Sequence, residues 1–104
     1  MAKSLEKTTK STPTPTTPSF WEIGKNYLIR GVTMYQVGRL VAIDVHELIL
    51  EDAAWVADTG RFNEALKSGN FNEVEPFIHG AIAVGRGQIV DASLFPFALP
   101  LGVK

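Results

Sequence analysis

Apolar and polar positions divide the chain near residue 18. Residues 1–18 carry six threonines, three lysines and the prolines Pro13, Pro15 and Pro18, with almost nothing to bury. Such a segment cannot offset the entropy of being ordered, and its prolines deny both helix and ladder. It reads as a disordered arm; a basic arm that touches nucleic acid or a partner is the alternative. Phe20, Trp21 and Ile23, within Ser19–Gly24, predict a short anchor of about one helical turn that packs on the domain.

From Asn26 the texture is that of strands. Tyr27–Tyr35 is rich in β-branched and aromatic residues. Gln36–Val45 continues the pattern, with Gly38 marking a bend or a close backbone approach. In His46–Val56, Leu48 and Leu50 face one way while Ile49 and Glu51 face the other. Alternation places Trp55 opposite Leu48 and Leu50, under whatever follows. That is a short amphipathic helix over Gly60–Ser68. Asp58-Thr59 offers its cap, Phe62, Ala65 and Leu66 form its apolar stripe, and Gly69 sits at its stop. Asn70–Pro76 reads as a loop or short irregular strand, Phe77–Val84 as a fourth strand and Gln88–Leu94 as a fifth. Phe95–Lys104 is apolar but holds Pro96 and Pro100. It cannot be a central strand and must cover its own barrel or a neighbour's surface. Residues 19–104 therefore predict one all-β domain, a small barrel or sandwich of five strands with a helix inserted between the third and fourth.

Composition narrows the chemistry. The chain has 104 residues and a net charge of −1, so no basic excess marks a general nucleic-acid binder. It has no cysteine, which excludes disulfides, thiolate nucleophiles and cysteine zinc sites. No apolar run reaches the roughly twenty residues of a membrane helix, and no apolar h-region marks a secretory signal. A cytoplasmic protein without membrane contact is expected. A metal would need His46 and His79 to converge with Asp44 or Asp91. Gly85-Arg86-Gly87 lacks the Gly-Lys-Ser/Thr of a phosphate loop. No serine sits in a nucleophile elbow, and Glu51 and Asp52 point to opposite faces of a strand. No enzyme and no cofactor are expected. Arg30 and Arg39 read as solvated charges on strand faces. Phe71, Phe95 and Phe97 suit an interface.

Two blocks resemble the Sm-like family, which includes bacterial Hfq. Gly38-Arg39-Leu40-Val41-Ala42-Ile43-Asp44, followed by Leu48-Ile49-Leu50-Glu51-Asp52-Ala53, is similar to the first Sm motif. Val84-Gly85-Arg86-Gly87-Gln88-Ile89-Val90 is similar to the second. The resemblance spans roughly residues 26–92 on this pattern reading, and the whole string is similar to Sm-like proteins of phage or environmental sequences. It implies a strongly bent five-stranded antiparallel barrel whose fourth and fifth strands pair with those of neighbours to close a homo-oligomeric ring. Host cytoplasm is the implied location for a viral member. It also implies a pocket for single-stranded RNA at the inner rim, formed by Asp44, His46, Glu47, Arg86 and Gly87. His46 would stack on a base, Arg86 would supply the charge, and Asp44 would orient the loop. The loop Asp44–Glu47 is one residue shorter than the family's pattern, and Glu47 stands near the expected asparagine, where an acid repels phosphate. The helix before the first strand is short or missing. Two alternatives stay open: Arg86 pairs with Asp44 and His46 is an ordinary loop residue, or the ring is a structural assembly unit without nucleic acid.

Overall fold

The computed structural model describes residues 19–104; the arm read over residues 1–18 lies outside them. The strands are β1 (Asn26–Gly31), β2 (Tyr35–Ile43), β3 (Glu47–Asp58), β4 (Glu73–Pro76), β5 (Ala81–Gly85) and β6 (Ile89–Leu94). Helix α1 (Phe62–Ser68) lies between β3 and β4, and a 3-10 turn, Arg86–Gln88, joins β5 to β6. All pairings are antiparallel, in the order β4-β3-β2-β1-β6, with β5 also on β3.

The stretch read as a loop or short irregular strand, Asn70–Pro76, holds a strand, β4, on the distal half of β3; the strand expected over Phe77–Val84 pairs only from Ala81, as β5, on the proximal half. Residues 77–80 loop out between them, and only the Phe77 N–H, donated to the Ala53 carbonyl at 2.9 Å, keeps the path on β3. Pro76, with no N–H, closes β4 where the ladder stops. The continuous pattern Tyr27–Tyr35 is likewise broken, by a turn at Val32–Met34 closed by a bond from Gly31 N–H to the Met34 carbonyl.

The bend falls where Gly38 meets Ala53. Val37 pairs with Ala54 but Arg39 with Glu51, so β3 spends one extra residue there, a bulge. Asp52 carries it with φ 50°. A Cβ on Gly38 would lie 2.9 Å from the Ala53 Cβ, so only glycine lets the strands approach this closely. The extra residue reverses the alternation of β3. Leu48 and Leu50 enter one core, with Tyr27, Ile29, Leu40 and Val84. Ala54 and Val56 enter a second, with Leu28, Val37 and Val74. Trp55 therefore does not pack under α1 as simple alternation predicts. It joins neither core and is 38% exposed.

The inserted helix and the apolar tail build the second core. Ala65 is buried in it, and Phe62 and Leu66 flank it. Helix α1 starts later than the sequence pattern predicts because Asp58 caps the preceding turn instead, accepting from Gly60 N–H at 2.8 Å. It ends as expected at Gly69, with φ 75°. Phe71, Phe95 and Phe97 are core residues of this subunit rather than an interface. Phe71 stacks on Phe95 at 5.4 Å, and Phe97 meets Phe95 edge-on at 5.2 Å. The tail thus covers its own barrel. The anchor before β1 is a turn, not a helix, held where the Tyr27 hydroxyl donates to the Phe20 carbonyl and accepts from Glu22 N–H.

Arg30 and Arg39 are engaged rather than simply solvated. Arg39 reaches Glu51 at 3.0 Å and Asp52 at 2.6 Å, across the bend. Arg30 grips Asp91 with two donors, one at 2.7 Å, and lies 4.7 Å from the centre of the Phe62 ring. It ties β1, β6 and α1 together by a bidentate pair and a cation–π contact. Arg30 holds the Asp91 carboxyl below the usual carboxylate range.

Two outcomes follow from these contacts. Gly38→Val forces β2 from β3 and lowers stability by about 1–3 kcal/mol, read as a reduced urea midpoint at unchanged slope. Asp91→Asn lowers the melting temperature at pH 7. Because the folded-state pKa is depressed, the lost stabilisation is one present above the unfolded pKa and released as pH falls through the folded value. The gap between Asp91→Asn and the parent therefore closes in acid, below the ordinary carboxylate pKa of about 4.

Candidate nucleic-acid interface

The β2–β3 connection is a tight loop that orders itself. Asp44 N–H donates to the Glu47 carbonyl, and the Asp44 carboxylate accepts from His46 N–H, both at 2.9 Å. A short acid that turns back onto the backbone two residues on is a known turn device. On the other side, β5 pairs Gly85 with Glu47. The residue after Gly85 is thereby delivered to this loop. Arg86 N–H donates to the His46 carbonyl at 2.9 Å, and Arg86 Nη1 donates to the Asp44 carbonyl at 2.9 Å. The two blocks singled out in the sequence meet at these bonds.

Asp44, His46, Glu47 and Arg86 therefore share one small surface, with Gly87 beside them in the 3-10 turn. The contact between Arg86 and Asp44 is not the carboxylate pair that charge alone suggests. The guanidinium takes a backbone carbonyl, while the carboxylate is turned back onto His46 N–H. Among the described residues, no carboxylate lies within ion-pair distance of Arg86. Its remaining donors stay available for an anion. His46, Glu47 and Gly87 are exposed and Arg86 is half-buried. A Cβ on Gly87 would meet nothing within 4 Å, so the glycine keeps the approach open rather than relieving a clash.

Val45 was not a candidate, yet it stands 75% exposed at the tip of the same loop. Its signal was an apolar residue inside a polar turn. His79 lies in the 77–80 excursion and Asp91 is held by Arg30. Among the described residues, no group of three His, Asp or Glu side chains is close enough to hold a metal. Among them, too, no helix is long and apolar enough to cross a membrane.

The chain is similar to a heptameric archaeal Sm protein known from its crystal structure. The TM-score is 0.50 and the identity 26%, over 71% of this chain and 90% of that one. No family model and no curated protein matches the chain. The strongly bent antiparallel sheet, with two loops brought together at one end, is an Sm-like fold.

Proposed function

We propose that the chain is a subunit of a homo-oligomeric Sm-like ring that holds single-stranded RNA at its inner rim. One observation carries this reading: Arg86 sits in the turn between β5 and β6, the two strands whose outer edges are bare among the described residues. Closure through those edges repeats Arg86 and its loop around one rim, which turns a single cation into a belt. Monomer charge says little about such a belt.

The edges themselves favour closure. Soluble proteins guard edge strands with charge, proline or a cover. Ala81-Ile82-Ala83-Val84-Gly85 has no charged residue. The one charge of β6, Asp91, is taken by Arg30. Val90 and Leu94 on β6 are 63% and 48% exposed, and Ile78 beside β5 is 93% exposed. A partner strand would cover this surface. The similar archaeal protein is heptameric, which supports a ring here.

For the ligand, a fixed guanidinium with spare donors and an exposed imidazole form a recipe for an unpaired base and its phosphate. Glu47 supports the second reading, a structural ring without nucleic acid, because its carboxylate stands on the same loop and opposes the belt. Fluorescence anisotropy with labelled oligo-U and oligo-A separates the two. Binding that weakens with salt and falls at least tenfold in Arg86→Ala, with Glu47→Gln binding more tightly than the parent, is the expected result. A ring-sized particle that binds neither oligonucleotide at low salt overturns the RNA reading and leaves the structural ring.

A further inference from the structure

β4 ends the sheet order, so its outer side would present unpaired backbone groups. The C-terminal segment covers it at one point. Val74 N–H donates to the Lys104 carbonyl and Lys104 N–H donates to the Val74 carbonyl, both at 2.9 Å. This mutual exchange defines directly opposed residues in an antiparallel ladder. The same register sets Val103 against Glu75, which is itself opposite Trp55. Trp55, Glu73, Glu75 and Val103 line a groove of about 270 Å3.

The tail's hold on this edge is slight. Leu101 and Val103 are 76% and 78% exposed, with Gly102 between them, and no side chain of residues 101–104 joins either core. The firm anchors are Phe95, Phe97 and Leu99, further back along the segment. A strand added through one pair of backbone bonds opens without disturbing the rest of the fold.

We propose that the outer edge of β4 is an acceptor for an extended peptide that sets an apolar residue opposite Glu75, and that residues 101–104 are its internal occupant. Strand addition draws affinity from the main chain and selectivity from alternate side chains. Here the residue opposite Glu75 lies beside the exposed Trp55 indole and is best apolar, as Val103 is. Lys104, directly opposed to Val74, contributes its backbone pair to the edge, while Val103 shares the face of Glu75. This surface lies on the distal half of β3, away from the rim loop, so it stands or falls apart from RNA binding.

The probe is a labelled peptide Leu-Pro-Leu-Gly-Val-Lys, followed by anisotropy. A chain ending at Pro100, shown folded by circular dichroism, binds it saturably; the full chain binds at least tenfold more weakly because its own tail competes. The peptide with proline in place of lysine lacks the N–H that meets Val74 and does not bind. Trp55→Ala in the shortened chain removes the indole beside the residue opposite Glu75 and weakens binding several-fold. Lys104→Pro in the full chain breaks the same contact without deleting a residue, so failure of the shortened chain to fold leaves the test intact. No binding to either opened variant, or equal binding to the full chain, overturns the proposal. So does a rise in particle mass without peptide binding, which would assign the edge to a second copy.

Discussion

The approach of Gly38 to Ala53 is the constraint on which the other parts rest. It lets β2 and β3 bend together, and the extra residue at Asp52 divides β3 into halves that face different cores. The proximal half carries the Asp44–Glu47 loop and receives β5, which places Arg86. The distal half carries α1 and receives β4. Arg39 spans the bend by holding Glu51 and Asp52 together. Without the bulge, Ala54 and Val56 would share the face of Leu48 and Leu50 and would not reach the core that α1 and the tail complete.

Two cores also answer a problem of size. A domain this short buries a modest share of its surface, and its stability is correspondingly small. The inserted helix and the phenylalanines of the tail add a second apolar layer to the face that β1 and β2 would otherwise expose. β1 shows the result residue by residue: Tyr27 and Ile29 enter one core while Leu28 enters the other. Arg30 then locks the layer, with its guanidinium shared between Asp91 on β6 and the Phe62 ring on α1.

Local patterns in the sequence reached the elements but not their facing. Strand texture, the Phe62–Ala65–Leu66 stripe and the Gly69 stop placed β1 to β3, α1 and β6 close to where they lie. The assignment of Trp55 failed because alternation is counted from one residue to the next, and a bulge resets the count without a mark in the sequence. The late start of the fourth strand was hidden for a related reason: Phe77 and Ile78 carry strand-like side chains, yet the path leaves β3 there and pairing begins only at Ala81. The resemblance of two blocks singled out the residues that meet at the β2–β3 loop, and their meeting depends on one register, Glu47 with Gly85. The resemblance gave Asp44 the ordering of its loop, and its carboxylate does turn back onto His46 N–H. What charge alone did not show is that Arg86 takes the Asp44 carbonyl rather than its carboxylate.

The fold leaves its least protected backbone on β5 and β6, and the account rests on a neighbour covering both. Hydrogen exchange on the full chain, with particle mass measured by light scattering on the same sample, tests that claim most directly. In a ring-sized particle, the β5 and β6 amides that do not bond to β3 or β1 are expected to exchange slowly and to become fast only on dissociation. A monomeric mass, or a ring-sized mass in which those amides exchange as fast as free loops, would contradict the account.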